Sequence, residues 1–262
     1  MQKIIIILTL FLAISSLAYA KQSLDYTGAQ RVPVLLYHHI LRKEENKKFK
    51  YNSGVITPEL FAQQIKLLHD NGYKTITLHE LEQFITKKTT LPKKSVVITF
   101  DDGYLSNLTY AYPILKKYNY TAALFLITEN IRSQPETFNP DKLNYISWPE
   151  LAKYSDVFQY EGHTDGFHRT VGSTSFLLAK SPEDVLIDLE LSKMLLHTHY
   201  FAYPYGQYNK NTIQLVKKAG YTMAFTTRPT KAKPGTSPFE VPRYGILSTT
   251  TMQQFKNIIG IP

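Results

Sequence analysis

The 262-residue chain contains no cysteine. That excludes disulfides, thiolate zinc sites, a thiol nucleophile and a lipid-modified cysteine anchor, so the core alone must hold the fold. Acidic residues are in deficit: 21 stand against 30 lysines and arginines, a formal net charge of +9. Apolar runs are short. After the first twenty residues none reaches the ~18–20 residues that a membrane-spanning helix needs. Histidine is missing after His199, which restricts where a late acid, base or ligand can come from.

What is present begins with a segment of export type. Lys3, the apolar run Ile4 to Ala13 and the small-x-small ending Ala18-Tyr19-Ala20 predict a signal peptide, residues 1–20, cleaved after Ala20. An uncleaved N-terminal anchor is the alternative. Residues 21–262 then form a single domain, periplasmic or secreted, without a transmembrane segment. The positive charge predicts peripheral contact with anionic envelope surfaces. Nucleic acid is not an expected partner, because the basic residues are dispersed and no binding motif accompanies them. Nothing in the sequence sets the oligomeric state.

The rest of the chain alternates short apolar runs with amphipathic segments. Strands are expected over 32–37, 73–77, 95–100, 121–127, 157–161, 199–203 and 222–226. Helices are expected over 57–69, 79–87, 105–118, 148–154, 182–196, 209–219 and 250–259. Thr57-Pro58 is a helix start, with Thr57 as N-cap, and Gly72 follows that helix's end. Strands alternating with helices argue for an α/β fold with a parallel sheet covered by helices. About seven strands with no obvious reversal suggest a partial or distorted (β/α) barrel. The long stretches 42–54 and 132–144 are candidate borders of a cleft.

Chemistry-bearing residues collect at strand ends. Strand 95–100 runs into Asp101-Asp102-Gly103-Tyr104. Adjacent carboxylates repel unless a cation neutralises one of them, and the C-terminal ends of barrel strands are where active sites are built. Strand 157–161 runs into Gly162-His163-Thr164-Asp165-Gly166-Phe167-His168. Two histidines and a carboxylate from another strand compose a three-ligand metal site with room for water. Phe201-Ala202-Tyr203-Pro204-Tyr205-Gly206 is a tight turn whose backbone N–H groups can face a reacting oxygen. Tyr37-His38-His39 follows the first strand, and Val241-Pro242-Arg243-Tyr244 is expected at a further strand start or end. Singly, each has an ordinary explanation as a capped turn or a loop. Together they point to one metal-binding catalytic site.

The order Thr-Phe-Asp-Asp-Gly-Tyr, His-Thr-x-x-x-His, Tyr-Pro-Tyr-Gly resembles the polysaccharide deacetylases with a NodB-homology domain, carbohydrate esterase family 4. The Tyr-His after the first strand and the late Pro-Arg resemble the subgroup that de-N-acetylates poly-β-1,6-N-acetylglucosamine. The resemblance spans roughly residues 32–247. It implies a partial (β/α) barrel, a divalent metal, usually Zn2+ with Co2+ as an alternative, and an acetylated polysaccharide as substrate. It also implies Asp101 as base, with Asp102, His163 and His168 as metal ligands. Tyr205 matches the residue whose backbone N–H holds the oxyanion, with Pro204 beside it in the substrate-facing turn. Two departures stand out. Many relatives carry an arginine where this chain has Ala202, and Arg243 is the candidate replacement. Many also draw their general acid from a late Leu-x-His motif. This chain has none, so His38 is the candidate acid and His39 the fallback.

Other readings share parts of this pattern. Peptidoglycan N-acetylglucosamine deacetylases and O-acetyl esterases belong to the same family. Two histidines and one carboxylate also compose the facial triad of non-heme iron oxygenases, against which Asp101 and the export signal count. A non-catalytic glycan-binding module could use the 19 tyrosines and 14 phenylalanines as stacking platforms, but such a module would typically have lost a ligand or the base.

Overall fold

The computed structural model describes residues 28–262; the export-type segment lies outside the described residues. The central sheet consists of β1 (Val34–Tyr37), β5 (Ser95–Phe100), β6 (Ala122–Leu126), β7 (Phe158–Gly162), β10 (Tyr200–Ala202), β11 (Met223–Phe225) and β12 (Tyr244–Gly245). Its spatial order is β11-β10-β7-β6-β5-β1-β12, every pairing is parallel, and β4 (Lys74–Thr75) joins the start of β5. A parallel bridge between Phe225 and Val241 brings the approach to β12 alongside β11. The segment 241–245 therefore touches both edges and curls the sheet into a distorted (β/α) barrel. Two small pairs complete the strands: β2 (His39–Ile40) with β3 (Val55–Ile56), and the hairpin β8 (Thr170–Val171) with β9 (Thr174–Ser175).

Among the described residues eight α-helices accompany the strands: α1 (Pro58–Asp70), α2 (Leu78–Ile85), α3 (Tyr112–Lys117), α4 (Trp148–Lys153), α5 (Phe176–Ala179), α6 (Pro182–Leu196), α7 (Lys210–Lys218) and α8 (Met252–Ile259). Their starts follow capping chemistry. The Thr57 side chain accepts the Leu60 N–H ahead of Pro58, and Thr77, Asn209 and Thr251 form reciprocal capping boxes. The expected helix over 105–118 is interrupted. Residues Asn107–Ala111 form a π-turn, with the Tyr112 N–H donating to Asn107 O, before α3 begins. Pro113 supplies the reason: it has no N–H for the carbonyl four residues back, and its ring crowds that carbonyl, so the chain widens by one residue. The expected strand 73–77 shortens to Lys74–Thr75, and the strand end expected at 241–244 is the start of the two-residue β12.

Alternation along the strands sorts the core into two layers. Leu35, Tyr37, Ile98, Phe100, Leu124 and Leu126 pack outward with Phe61, Ile65 and Leu68 of α1 and Leu115 of α3. Val34, Val97, Ala123, Phe125, Ala202, Phe225 and Val241 pack in the other layer, with α2. That second layer is the barrel interior. It also sets the direction of every residue just beyond the strand ends.

Candidate active site at the barrel mouth

Positions 97 and 99 face inward, so Asp101 continues that parity over the end of β5 and enters the mouth. It is buried, and Arg243, wholly buried and reaching along the interior, grips it with two parallel bonds: Nη1 to Oδ1 and Nη2 to Oδ2, each 2.7 Å. Arg243 is itself fixed by donating from Nε to Thr226 O at 3.0 Å and from Nη1 to Thr99 Oγ1 at 3.3 Å, between the rings of Phe125 and Phe225. Burial pushes the Asp101 carboxyl up, but the guanidinium and nearby imidazoles outweigh it and hold the group below its ordinary range. Removing either partner would strand a buried charge, a loss of about 3–5 kcal/mol.

Asp102 would point away if β5 continued. Its backbone instead turns left-handed at φ 75°, followed by Gly103 at φ 76°, and this returns the Asp102 carboxylate to the mouth. Its buried Oδ1 has no hydrogen-bond partner among the described residues. It faces His163 Nε2 at 3.5 Å and His168 Nε2 at 3.3 Å. Two atoms bound to one tetrahedral zinc at ~2.0–2.1 Å lie about 3.3 Å apart, so these separations suit shared ligands better than direct hydrogen bonds. One ligand atom from each of Asp102, His163 and His168 falls within 4.8 Å of the others. His163 Nδ1 donates to Ala202 O at 2.7 Å, which leaves Nε2 with its lone pair for a metal. Burial works against charge on His163, yet Asp101 and Asp102 outweigh it and raise its pKa; for His168, burial and His163 lower it to about 4. The trio thus fits a divalent cation.

The loop carrying both histidines is pinned from two sides. His163 N–H donates to Leu126 O, and the Thr128 hydroxyl donates to Asp165 Oδ1 at 2.5 Å. From α6, the buried Asp188 accepts the Asp165 N–H at 3.0 Å and the Gly166 N–H at 2.7 Å. Sequence reasoning missed Asp188. It lies on a helix whose neighbours Glu183, Asp184 and Glu190 read as a solvated face, and nothing marks it out. Thr99 and Thr226, the supports of Arg243, carried no sequence signal either.

The histidine pair after β1 divides by the same alternation. His38 shares the inward parity of Val34 and Leu36, and a charge on it acts on both Asp101 and Asp102. His39 takes the outward parity of Leu35 and Tyr37 and is buried, with Nδ1 2.6 Å from the Ser106 hydroxyl and its ring against Phe49 and Tyr104. At the turn after β10, Tyr205 has φ 59° and Gly206 φ 66°; a Cβ on Gly206 would collide with Thr227. The turn's bonds run from the Gly206 N–H to Tyr203 O and the Gln207 N–H to Pro204 O, bypassing the Tyr205 N–H. Pro204 is buried, whereas Tyr205 is exposed, its ring 4.6 Å from that of His168 and its hydroxyl donating to His168 O. All the sequence-predicted site residues therefore meet at one mouth except His39, which faces the outer layer.

Comparison with known proteins places these residues in a family context. Residues 88–224 match the family model described as polysaccharide deacetylase. A poly-beta-1,6-N-acetyl-D-glucosamine N-deacetylase of Staphylococcus aureus is 32% identical over 197 residues, covering 72% of this chain; the chain spans 66% of that relative's length. Among solved structures, IcaB from Ammonifex degensii superposes with a TM-score of 0.73 at 27% identity, covering 89% of this chain and 97% of its own. The Streptococcus pyogenes deacetylase PplD in complex with acetate shares the fold, with a TM-score of 0.76 at 24% identity and coverages of 89% and 99%.

Two outcomes follow from this geometry. Burial, opposed by Asp102, lowers His39 to about 4. A folded pKa below the unfolded ~6.5 means stability is full above that value and is lost as pH falls toward 4, by up to about 3 kcal/mol. Denaturant unfolding of His39→Gln beside the unaltered protein should show the difference closing toward the variant over that window; a constant offset would mean that His39 binds its proton equally well folded and unfolded. Asp188→Ala should lose roughly 1–3 kcal/mol and, by hydrogen exchange, protection at the Asp165 and Gly166 amides. Unchanged exchange there would show that the loop is held without α6.

Proposed function

The chain belongs to the polysaccharide deacetylase family, and we propose that it is a metal-dependent hydrolase removing N-acetyl groups from an envelope or extracellular polysaccharide. Poly-β-1,6-N-acetylglucosamine is the leading substrate, on the strength of the Staphylococcus aureus relative. The observation that carries the reading is the meeting of a Asp102–His163–His168 trio with a second, arginine-clamped carboxylate, Asp101, at one barrel mouth. In this reading residues 1–20 direct export and residues 21–262 are the catalytic domain. Among the described residues no helix is long and apolar enough to cross a membrane.

Asp102, His163 and His168 would hold the cation, with Zn2+ and Co2+ the candidates. When bound, such a cation polarises the acetyl carbonyl and acidifies a water molecule. Asp101 receives the water's proton. Arg243 aims that carboxylate and favours its ionised form. The Tyr205 N–H donates to the oxygen on which negative charge develops. The amine leaves only when protonated, and His38, facing the carboxylates from the neighbouring strand, supplies that proton. Pro204 shapes the turn, and the exposed Tyr205 ring offers a face to the sugar. A three-ligand trio also suits an iron oxygenase, but such chemistry has no use for a clamped base.

Acetate release from poly-N-acetylglucosamine, peptidoglycan and acetylxylan, with and without chelator, tests the reading; no chelator-sensitive release from any of them would reject it. His163→Ala should lose most bound zinc and essentially all turnover. Asp101→Asn should keep zinc and lose roughly 10²–10⁴ in turnover. Asp101→Asn leaves Arg243 buried and unpaired, so zinc is read on protein shown to be folded by circular dichroism; loss of zinc from that folded protein would reverse the two aspartates. His38→Ala should keep zinc but fail on the amide, while an aryl acetate, whose phenolate leaves without protonation, should suffer much less. Equal loss on both substrates would remove His38 from the acid role.

A further inference from the structure

Near the N-terminal end of β1, the chain builds a second concavity that the deacetylase reading does not use. Val32 and Ala232 pair antiparallel just ahead of β1. Beside this pair lies a cavity of about 390 Å³ walled by Arg31, Arg228, Lys231 and Lys233, with the hydroxyls of Thr236 and Ser237 among its lining and no carboxylate side chain. The Arg228 guanidinium is fixed to the wall by donating from Nη2 to Glu240 O at 3.0 Å. The Thr236 hydroxyl accepts the Lys233 N–H at 2.9 Å, which leaves its own proton to donate. Lys231 lies against Gly260, the C-cap of α8.

Four surface cations have acidic partners: Lys66 with Asp70, Lys116 with Asp156, Arg132 with Glu136 and Arg169 with Glu129. Among the described residues none of the four cavity cations makes an ion pair. They repel one another instead: burial and the Arg31 charge together lower the pKa of Lys231. Four convergent cations and donor hydroxyls with no acid among them form the complement of a multiply charged oxyanion.

We propose that this cavity binds a phosphate-type oxyanion, either a small phosphate or a phosphodiester in a polyanionic polymer. Binding there needs neither the metal trio nor turnover, so it stands or falls separately from the proposed function. Isothermal titration of the full chain with sodium pyrophosphate and with poly(glycerol phosphate) tests it. The double variant Arg228→Gln/Lys231→Gln should weaken binding at least roughly tenfold. The control Lys66→Gln/Lys116→Gln, which removes the same charge from paired sites, should change it by less than about twofold. Lys233→Gln, at an exposed position, provides a milder variant and should weaken binding several-fold. Pyrophosphate binding with this pattern assigns the cavity to small phosphates; binding of the polymer alone assigns it to chain phosphodiesters. Binding of neither probe, or equal loss in both double variants, overturns the proposal.

Discussion

The ion pair between Asp101 and Arg243 is the constraint on which the barrel mouth depends. Both groups are out of water, and neither is tolerable there without the other. Their strands are distant in sequence: Asp101 ends β5, whereas Arg243 immediately precedes β12. The bond can form only when the segment 241–245 has closed against both β1 and β11. Closure of the sheet and assembly of the mouth are thus one event. Thr99 and Thr226 accept from two of the other guanidinium donors and fix the orientation of the clamp.

Two carboxylates adjacent in sequence are given opposite environments by one backbone reversal. Asp101 spends both oxygens on Arg243, while Asp102 keeps Oδ1 without a hydrogen bond, facing two imidazole nitrogens. Such a division lets one group hold a cation while the other stays free of it. The histidine loop is held to matching precision by hydrogen bonds from the neighbouring 126–128 segment and from α6.

The alternating layout, the strand ends and the residues of the mouth were legible in the sequence, because buried β-branched runs and strand-end polar clusters are local signals. Which of His38 and His39 shares the inward parity was legible too, had alternation been carried one residue past β1: Leu35 and Tyr37 face outward, and His39 follows them. The π-turn before α3 was hidden because Pro113 passes for a first-turn proline. The extent and partner of β12 were hidden because it pairs over only two residues and Pro242 interrupts its approach. Asp188 could not be found at all. Its role comes from a tertiary meeting between α6 and the histidine loop, and one sequence carries no trace of that encounter.

Three of the six non-glycine residues with positive φ among the described residues, Asp102, Thr164 and Tyr205, lie at this mouth. Each such residue stores conformational strain, of order 1–3 kcal/mol, that the surrounding barrel must absorb. For heat resistance alone, glycine would be the better choice at all three places. At Asp102 that choice would delete the carboxylate, and at Tyr205 the ring. The protein's tolerance to heat and its chemistry therefore pull in opposite directions at the same few positions. Selection for thermal stability, applied without selection for activity, would be expected to dismantle this mouth first and leave the barrel intact.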